Sequence, residues 1–312
     1  MLRRYAILAA VLMAGLQARA QYDPSFSHYW AMETSFNPAA AGKEQKMNVA
    51  GAYNMTLTGF EHSPKTMYIG ADMPLYFLRS FHGLGLQIMN DEIGLFSHKR
   101  LTLQYAFKRR LLGGMLSIGV QGGLLNETFD GSGVDLDQPE DPAFIKSETT
   151  GNALDLGAGI YYSHSRGWYA GASVLHALAP VIELGETSEL DVSRTYYFTG
   201  GYNIRLRNPL LMLQTSVMGR TDGVAYRGDV TARLRYQHEK RLMYAGVGYS
   251  PTNSVTVFIG GQFHGVMLGY SYEAYTSAIN IGNGSHELFV GYQTDINFGK
   301  KGRNRHQSVR LL

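Results

Sequence analysis

Leu288-Phe289-Val290-Gly291-Tyr292-Gln293-Thr294-Asp295-Ile296-Asn297-Phe298 is the stretch whose reading decides the fold. Leu288, Val290, Tyr292, Thr294, Ile296 and Phe298 fall on one face. Phe289, Gly291, Gln293, Asp295 and Asn297 fall on the other. Period-two alternation is what a β-strand needs when its faces meet different solvents. Working outward, similar segments fall at 46–57, 65–74, 81–90, 95–107, 113–124, 152–162, 167–175, 193–203, 209–219, 225–237, 242–250, 254–262 and 265–274. With 285–298 this predicts about fourteen strands. Leu101, Leu103, Tyr105 and Phe107 oppose Thr102, Gln104 and Ala106. Val230, Ala232, Leu234 and Tyr236 oppose Asp229, Thr231, Arg233 and Arg235. Val255, Val257 and Ile259 oppose Ser254, Thr256 and Gly260, with Phe258 as an exception on the polar face. The expected fold is all-β: a transmembrane antiparallel barrel, apolar towards lipid and polar towards its lumen, over 46–298.

Composition agrees. Charged residues are 17%, below the usual quarter, while Gly (37) and Tyr (21) are abundant. Tyr suits the membrane–water boundary. Lipid offers the backbone no hydrogen bonds, so a chain without helix-length apolar runs spans a bilayer only as a closed barrel.

The N-terminus reads as an export signal over 1–20. Arg3 and Arg4 precede the apolar run Tyr5 to Leu16, and Ala18-Arg19-Ala20 is an A-x-A cleavage site. Removing Arg3, Arg4 and Arg19 from 28 basic residues leaves 25, against 25 acidic ones. A near-neutral mature chain makes no case for nucleic-acid binding. The absence of cysteine excludes a lipid-anchored cysteine, disulfides and Cys-based metal or redox sites.

Residues 21–45 do not alternate. They carry Tyr22, Phe26, Tyr29, Trp30 and Phe36, too many aromatics for a disordered terminus. Pro24 and Pro38 argue against a long helix. We expect an ordered lead-in or partial plug.

No enzymatic motif is present. There is no H-E-x-x-H, G-x-S-x-G or P-loop. The acidic run Asp130 to Asp137 departs from the calcium-loop spacing and reads as a solvated loop. His286-Glu287 reads as structural. Asp229, Arg233, Arg235 and Asp295 are candidates to line a passage or bind a ligand, and lumen salt bridges are the plainer reading of the same charges. No cofactor and no metal are expected. A hydrolase assembled from several strands lacks any supporting motif.

Both termini of such barrels normally lie in the periplasm. That assignment gives the periplasmic turns and the tail 299–312 a basic set: Arg79, Lys108, Arg109, Arg110, Arg166, Arg205, Arg207, Lys240, Arg241, Lys300, Lys301, Arg303, Arg305 and Arg310. They hold one acid, Glu239. The opposite connections are rich in acids, including Glu61, Asp91, Glu92, Asp135, Asp137, Glu140, Asp141, Glu183, Glu186 and Glu189, with Lys146 and Arg220 as bases. A basic periplasmic face that docks an acidic partner is one reading, since complementary fields steer association. The candidate docking residues are Lys108, Arg109, Arg110, Arg205, Arg207, Lys240, Arg241, Lys300, Lys301, Arg303 and Arg305. Topology or contact with outer-membrane lipid is the plainer reading of the same bias.

Ordered motifs then point to a family. They include Gln21-Tyr22-Asp23-Pro24-Ser25-Phe26-Ser27, Asn37-Pro38-Ala39-Ala40-Ala41-Gly42, Ser63-Pro64-Lys65-Thr66 and Asn90-Asp91-Glu92-Ile93-Gly94. Asp141-Pro142-Ala143-Phe144, Gly157-Ala158-Gly159-Ile160-Tyr161-Tyr162, Gly269-Tyr270-Ser271-Tyr272 and Gly284-Ser285-His286-Glu287 follow. In this order the mature chain resembles the PorP/SprF family of type IX secretion system outer-membrane proteins. Two places depart from the family pattern. Asn54-Met55-Thr56-Leu57 stands where an Arg-x-Gln-Trp-like stretch is usual, and a basic tail follows Phe298. The resemblance implies a non-enzymatic barrel component of protein secretion. It also implies periplasmic and outer-membrane partners from the same system, including a peptidoglycan-associated one of the PorE type. A diffusion channel for small molecules is the alternative.

Overall fold

The structure is a computed structural model; it describes residues 23–60, 62–132, 148–185, 188–239, 241–276 and 283–295. Fourteen antiparallel strands close into one barrel. They are β1 (Met47–Met55), β2 (Lys65–Phe77), β3 (Ser80–Ile93), β4 (Phe96–Leu111), β5 (Gly114–Asp130), β6 (Glu148–His164) and β7 (Trp168–Leu175), then β10 (Thr195–Arg205). β11 (Leu211–Thr221), β12 (Tyr226–His238), β13 (Arg241–Ser250), β14 (Ser254–Phe263), β15 (Val266–Tyr275) and β16 (Ser285–Thr294) complete the wall. β1 pairs with both β2 and β16, so no edge is left open to lipid. β8 (Val181–Leu184) and β9 (Ser188–Asp191) form a separate hairpin within the 176–194 connection, which the alternation alone did not reveal.

Every strand expected from the alternation is present. The faces fall as read: Leu101, Leu103, Tyr105 and Phe107 are exposed, and Thr102, Gln104 and Ala106 are buried. Strands β4 to β6 outrun their apolar stretches. β5 and β6 each have 17 residues, whereas a bilayer needs only ~9–11 tilted residues. The excess stands on the side of the long connections. There Ile182, Leu184 and Val192 pack against Leu125 and seal a small apolar cluster with Phe96 and Phe129.

The barrel therefore has two unlike rims. One carries the long connections. The other is closed by tight turns, several with both central residues in the left-handed region: Leu78 (φ 49°) with Arg79 (φ 59°), and Leu112 (φ 48°) with Gly113 (φ 77°). Such two-residue turns match the twist of the strands they join.

Candidate functional site

Residues 23–45 lie inside the barrel. They form three short 3-10 turns, at Tyr29–Ala31, Glu33–Ser35 and Pro38–Ala40. The segment starts in the long-connection half and descends to β1 at the tight-turn rim. Its aromatics account for the apolar residues that break the polar pattern of the lumen. Phe26 and Met32 pack with inward-facing Tyr68, Met89 and Phe289. Tyr29 and Phe36 pack with Tyr197 and Met218. Phe258, the exception noted in β14, meets His28 edge-on, and Phe289 stacks on that ring at 5.3 Å.

Asn37-Pro38-Ala39-Ala40-Ala41-Gly42 runs along a lane of small residues on the inner wall. A Cβ on Gly119 would collide with the Ala39 backbone, and one on Gly83 with the Ala41 carbonyl. Gly42 itself needs φ +63° and sits against the Met73 carbonyl. Here the backbones approach too closely for any side chain.

Polar contacts fix the upper part. The Arg100 Nη1 donates to Asp23 Oδ1 at 2.9 Å, and the Tyr197 hydroxyl donates to Asp23 Oδ2 at 2.9 Å. His176 Nε2 stands 3.3 Å from Asp23, and His176 Nδ1 stands 3.1 Å from Asp155. Arg220 Nη1 donates to the carbonyls of Asp23 and Pro24. Burial alone would raise the Asp23 carboxyl, but His176 and Arg100 hold it well below the usual carboxylate range. Burial would lower the His176 imidazole, yet Asp23 and Asp155 push it up to about 9. Both groups are therefore charged at neutral pH. Glu287 accepts from the backbone N–H of Ser27 (2.7 Å) and His28 (2.9 Å), and lies 2.7 Å from the His28 ring. His286-Glu287 is thus half structural anchor: Glu287 faces inward and His286 meets Tyr270.

Below this layer the lumen opens into a cavity of about 570 Å³ towards the tight-turn rim. Trp30, Glu33 and Lys43 of the inner segment form its ceiling, and Arg233, Arg235, Asn203, Gln214, Gln262 and Gln293 are on its wall.

The candidate docking residues divide. Arg109, Arg110, Arg205, Arg207 and Arg241 are exposed at the tight-turn rim, joined there by Arg79 and Arg166. The acids of that rim are Glu44, Glu239 and Asp295, and Asp295 is paired with Lys46 at 3.3 Å. Lys108 does not belong to the rim. β4 continues to Leu111, so the alternation turns Lys108 inward, where it is 5% exposed. Lys240, Lys300, Lys301, Arg303 and Arg305 lie outside the described residues, as do the export segment 1–20 and most of the run Asp130 to Asp137.

At the opposite rim the contrast in sign is softer than the connections suggested. Glu92, Asp130, Glu148, Glu183, Glu189 and Asp191 are exposed, but so are Lys65, Lys99 and Arg194. Asp91 and Arg220 are strand residues that face inward and are buried. The expectation of lumen salt bridges also needs correction. Asp229 pairs with Arg227, which reaches on to Glu273. Arg233 instead lies over the Trp30 ring at 3.5 Å, and Arg235 donates to Gln237.

A closed fourteen-stranded barrel with lipid-facing apolar residues and a polar lumen defines an outer-membrane protein. Its fold is similar to that of the CymD monoaromatic hydrocarbon channel, with TM-score 0.50, 10% identity, and coverage of 85% of this chain and 93% of that one. A Pseudomonas aeruginosa FadL homologue is similar at TM-score 0.41 and 11% identity, covering 82% and 92%. No curated protein matches the sequence. The family model described as type IX secretion system membrane protein PorP/SprF matches residues 18–292. The chain belongs to the PorP/SprF family and is a type IX secretion outer-membrane barrel.

Proposed function

We propose that the protein is a non-enzymatic mount for the secretion machinery rather than a conduit, with its tight-turn rim facing the periplasm. Within the family we place it nearest to PorP, on the motifs of the inner segment and strand ends. One observation carries the reading: the inner segment packs against the wall from Asp23 to Gly42, while exposed arginines collect on one rim. A fourteen-stranded wall is intermediate between filled eight-stranded barrels and open sixteen-stranded ones. With residues 23–45 inside, no room is left for a folded cargo. The basic rim suits an acidic periplasmic partner, and a peptidoglycan-associated protein of the PorE type is our candidate. Outer-membrane lipid surrounds the wall. The tail 299–312, with Lys300, Lys301, Arg303 and Arg305, would add to the same face.

Photo-crosslinkers at Arg109, Arg205 and Arg241 in cells test this. Capture of one periplasmic secretion component, weakened by salt and by Arg109→Ser with Arg110→Ser, is expected. Lys108 is left intact because it is buried. Unchanged capture in the double variant would overturn the docking face. Crosslinks from transported cargo to Arg233 would overturn the mount.

A further inference from the structure

The arginines inside the barrel are of two kinds. In the long-connection half each meets carboxylate or backbone carbonyl oxygens, whereas the other two meet only a hydroxyl and a side-chain amide. Arg100 meets Asp23, Arg220 meets the Asp23 and Pro24 carbonyls, and Arg227 meets Asp229 and Glu273. Among the described residues the two on the cavity wall form no ion pair: of the acids lining the same cavity, Glu33 is taken by Lys43 at 2.6 Å, Asp72 accepts from the Gly42 N–H at 2.8 Å, and Glu44 is exposed at the rim. Arg233 is 4% exposed, gives one hydrogen bond to Ser216 at 3.0 Å, and leaves Nε unpaired, as Arg220 also does. Arg235 gives one to Gln237 at 2.6 Å and also leaves Nε unpaired. They are two residues apart on one strand, so their side chains project side by side on the inner face, about 7 Å apart along it.

A buried guanidinium without a counter-charge is costly and is normally retained where something supplies the charge. The surroundings fit a ligand. Asn203, Gln214, Gln262 and Gln293 on the cavity wall can both donate and accept. Trp168 and Tyr169 also border the cavity. Volumes of about 300–1,000 Å³ hold small molecules, and this cavity is about 570 Å³.

We infer that the cavity below Trp30 is a binding site for a small organic anion, whose carboxylate or phosphate is gripped by Arg233 and Arg235. Arginine forks favour both groups. The amide side chains hold the polar remainder of the molecule. This site is separate from the exposed rim and does not depend on the docking proposal.

The chain's two tryptophans, Trp30 and Trp168, both border the cavity, so intrinsic fluorescence reports on it. The full-length protein in detergent is titrated with citrate, glucose 6-phosphate and inorganic phosphate, with glucose and sodium chloride at matched ionic strength as controls. A saturable change with citrate, the phosphates or both is expected, absent in the controls. Citrate alone assigns the site to carboxylates; the phosphates alone assign it to phosphate. Arg235→Gln and Arg233→Gln should each weaken binding at least tenfold, with folding checked by the gel shift between heated and unheated samples. Should Arg233→Gln fail to fold, Arg235→Gln alone decides. No saturable change in the wild type, a change reproduced by sodium chloride, or an unaltered midpoint in folded Arg235→Gln would each overturn the site.

Discussion

The two halves of the lumen are built on opposite rules. Towards the long connections, Asp23, Arg100, His176, Asp155 and Tyr197 pair with one another in a layer almost without exposure. Towards the tight turns, Arg233 and Arg235 face a cavity and, among the described residues, form no ion pair with the acids that line it, Glu33, Glu44 and Asp72. One inner segment separates them. Its Asp23 supplies the central acid of the closed half, and its Trp30 supplies the ring under Arg233 in the open half. The difference teaches that the barrel is sealed by paired charge at one end and left receptive at the other. In a buried layer, removing one member leaves its partners as uncompensated charges, so the pairing acts as an anchor more than as a sum of contacts.

The comparison can be broken from its strong side first. Asp23→Ala should cost about 3–5 kcal/mol, because Arg100 and His176 lose their shared carboxylate; the denaturant midpoint of the folded barrel measures it. A loss under about 1 kcal/mol would show that the layer does not hold the segment, by the same reasoning. Gly119→Val should come next, destabilising by about 1–3 kcal/mol through forced displacement of Ala39. Protease access to the 23–45 stretch should rise in that variant, and an unchanged cleavage pattern would count against the close approach.

The third test uses pH. The raised His176 pKa means that the folded state holds its proton more tightly than the unfolded chain does. That contribution is complete below the unfolded pKa of 6.5 and is lost as pH rises through about 9. The depressed Asp23 carboxyl works the other way, with its contribution present above the unfolded value and lost only in strong acid. The wild-type Tm should therefore fall between pH 6.5 and 9, while His176→Gln should start lower and stay flatter across that window. The smallest effect is expected from Arg235→Gln without ligand. It breaks one hydrogen bond and no ion pair, so its stability should change by roughly 1 kcal/mol or less. A large loss there would erase the contrast between the halves.

The wall was legible because its faces meet different media, which forces the alternation strand by strand. Lys108 was legible too: the pattern Thr102, Gln104, Ala106 reaches it in two more steps, and only the early ending assumed for that strand placed it in a turn. Phe258 and Phe289 on the polar face were the visible sign that something apolar sits inside. The closed layer was not readable. Asp23 meets Arg100, His176, Tyr197 and Arg220 across separations of 77 to 197 residues. Such meetings depend on barrel closure and register, which no local pattern carries. The hairpin β8–β9 was hidden for a related reason, since its apolar residues cover the projecting ends of β5 and β6 rather than facing lipid.

The most direct test of the mount is ion conductance of the purified full-length barrel in planar bilayers. The account predicts a silent wild type and steady conductance once residues 24–42 are deleted from a barrel that still folds. Steady conductance through the wild type, altered by Arg233→Gln, would contradict it.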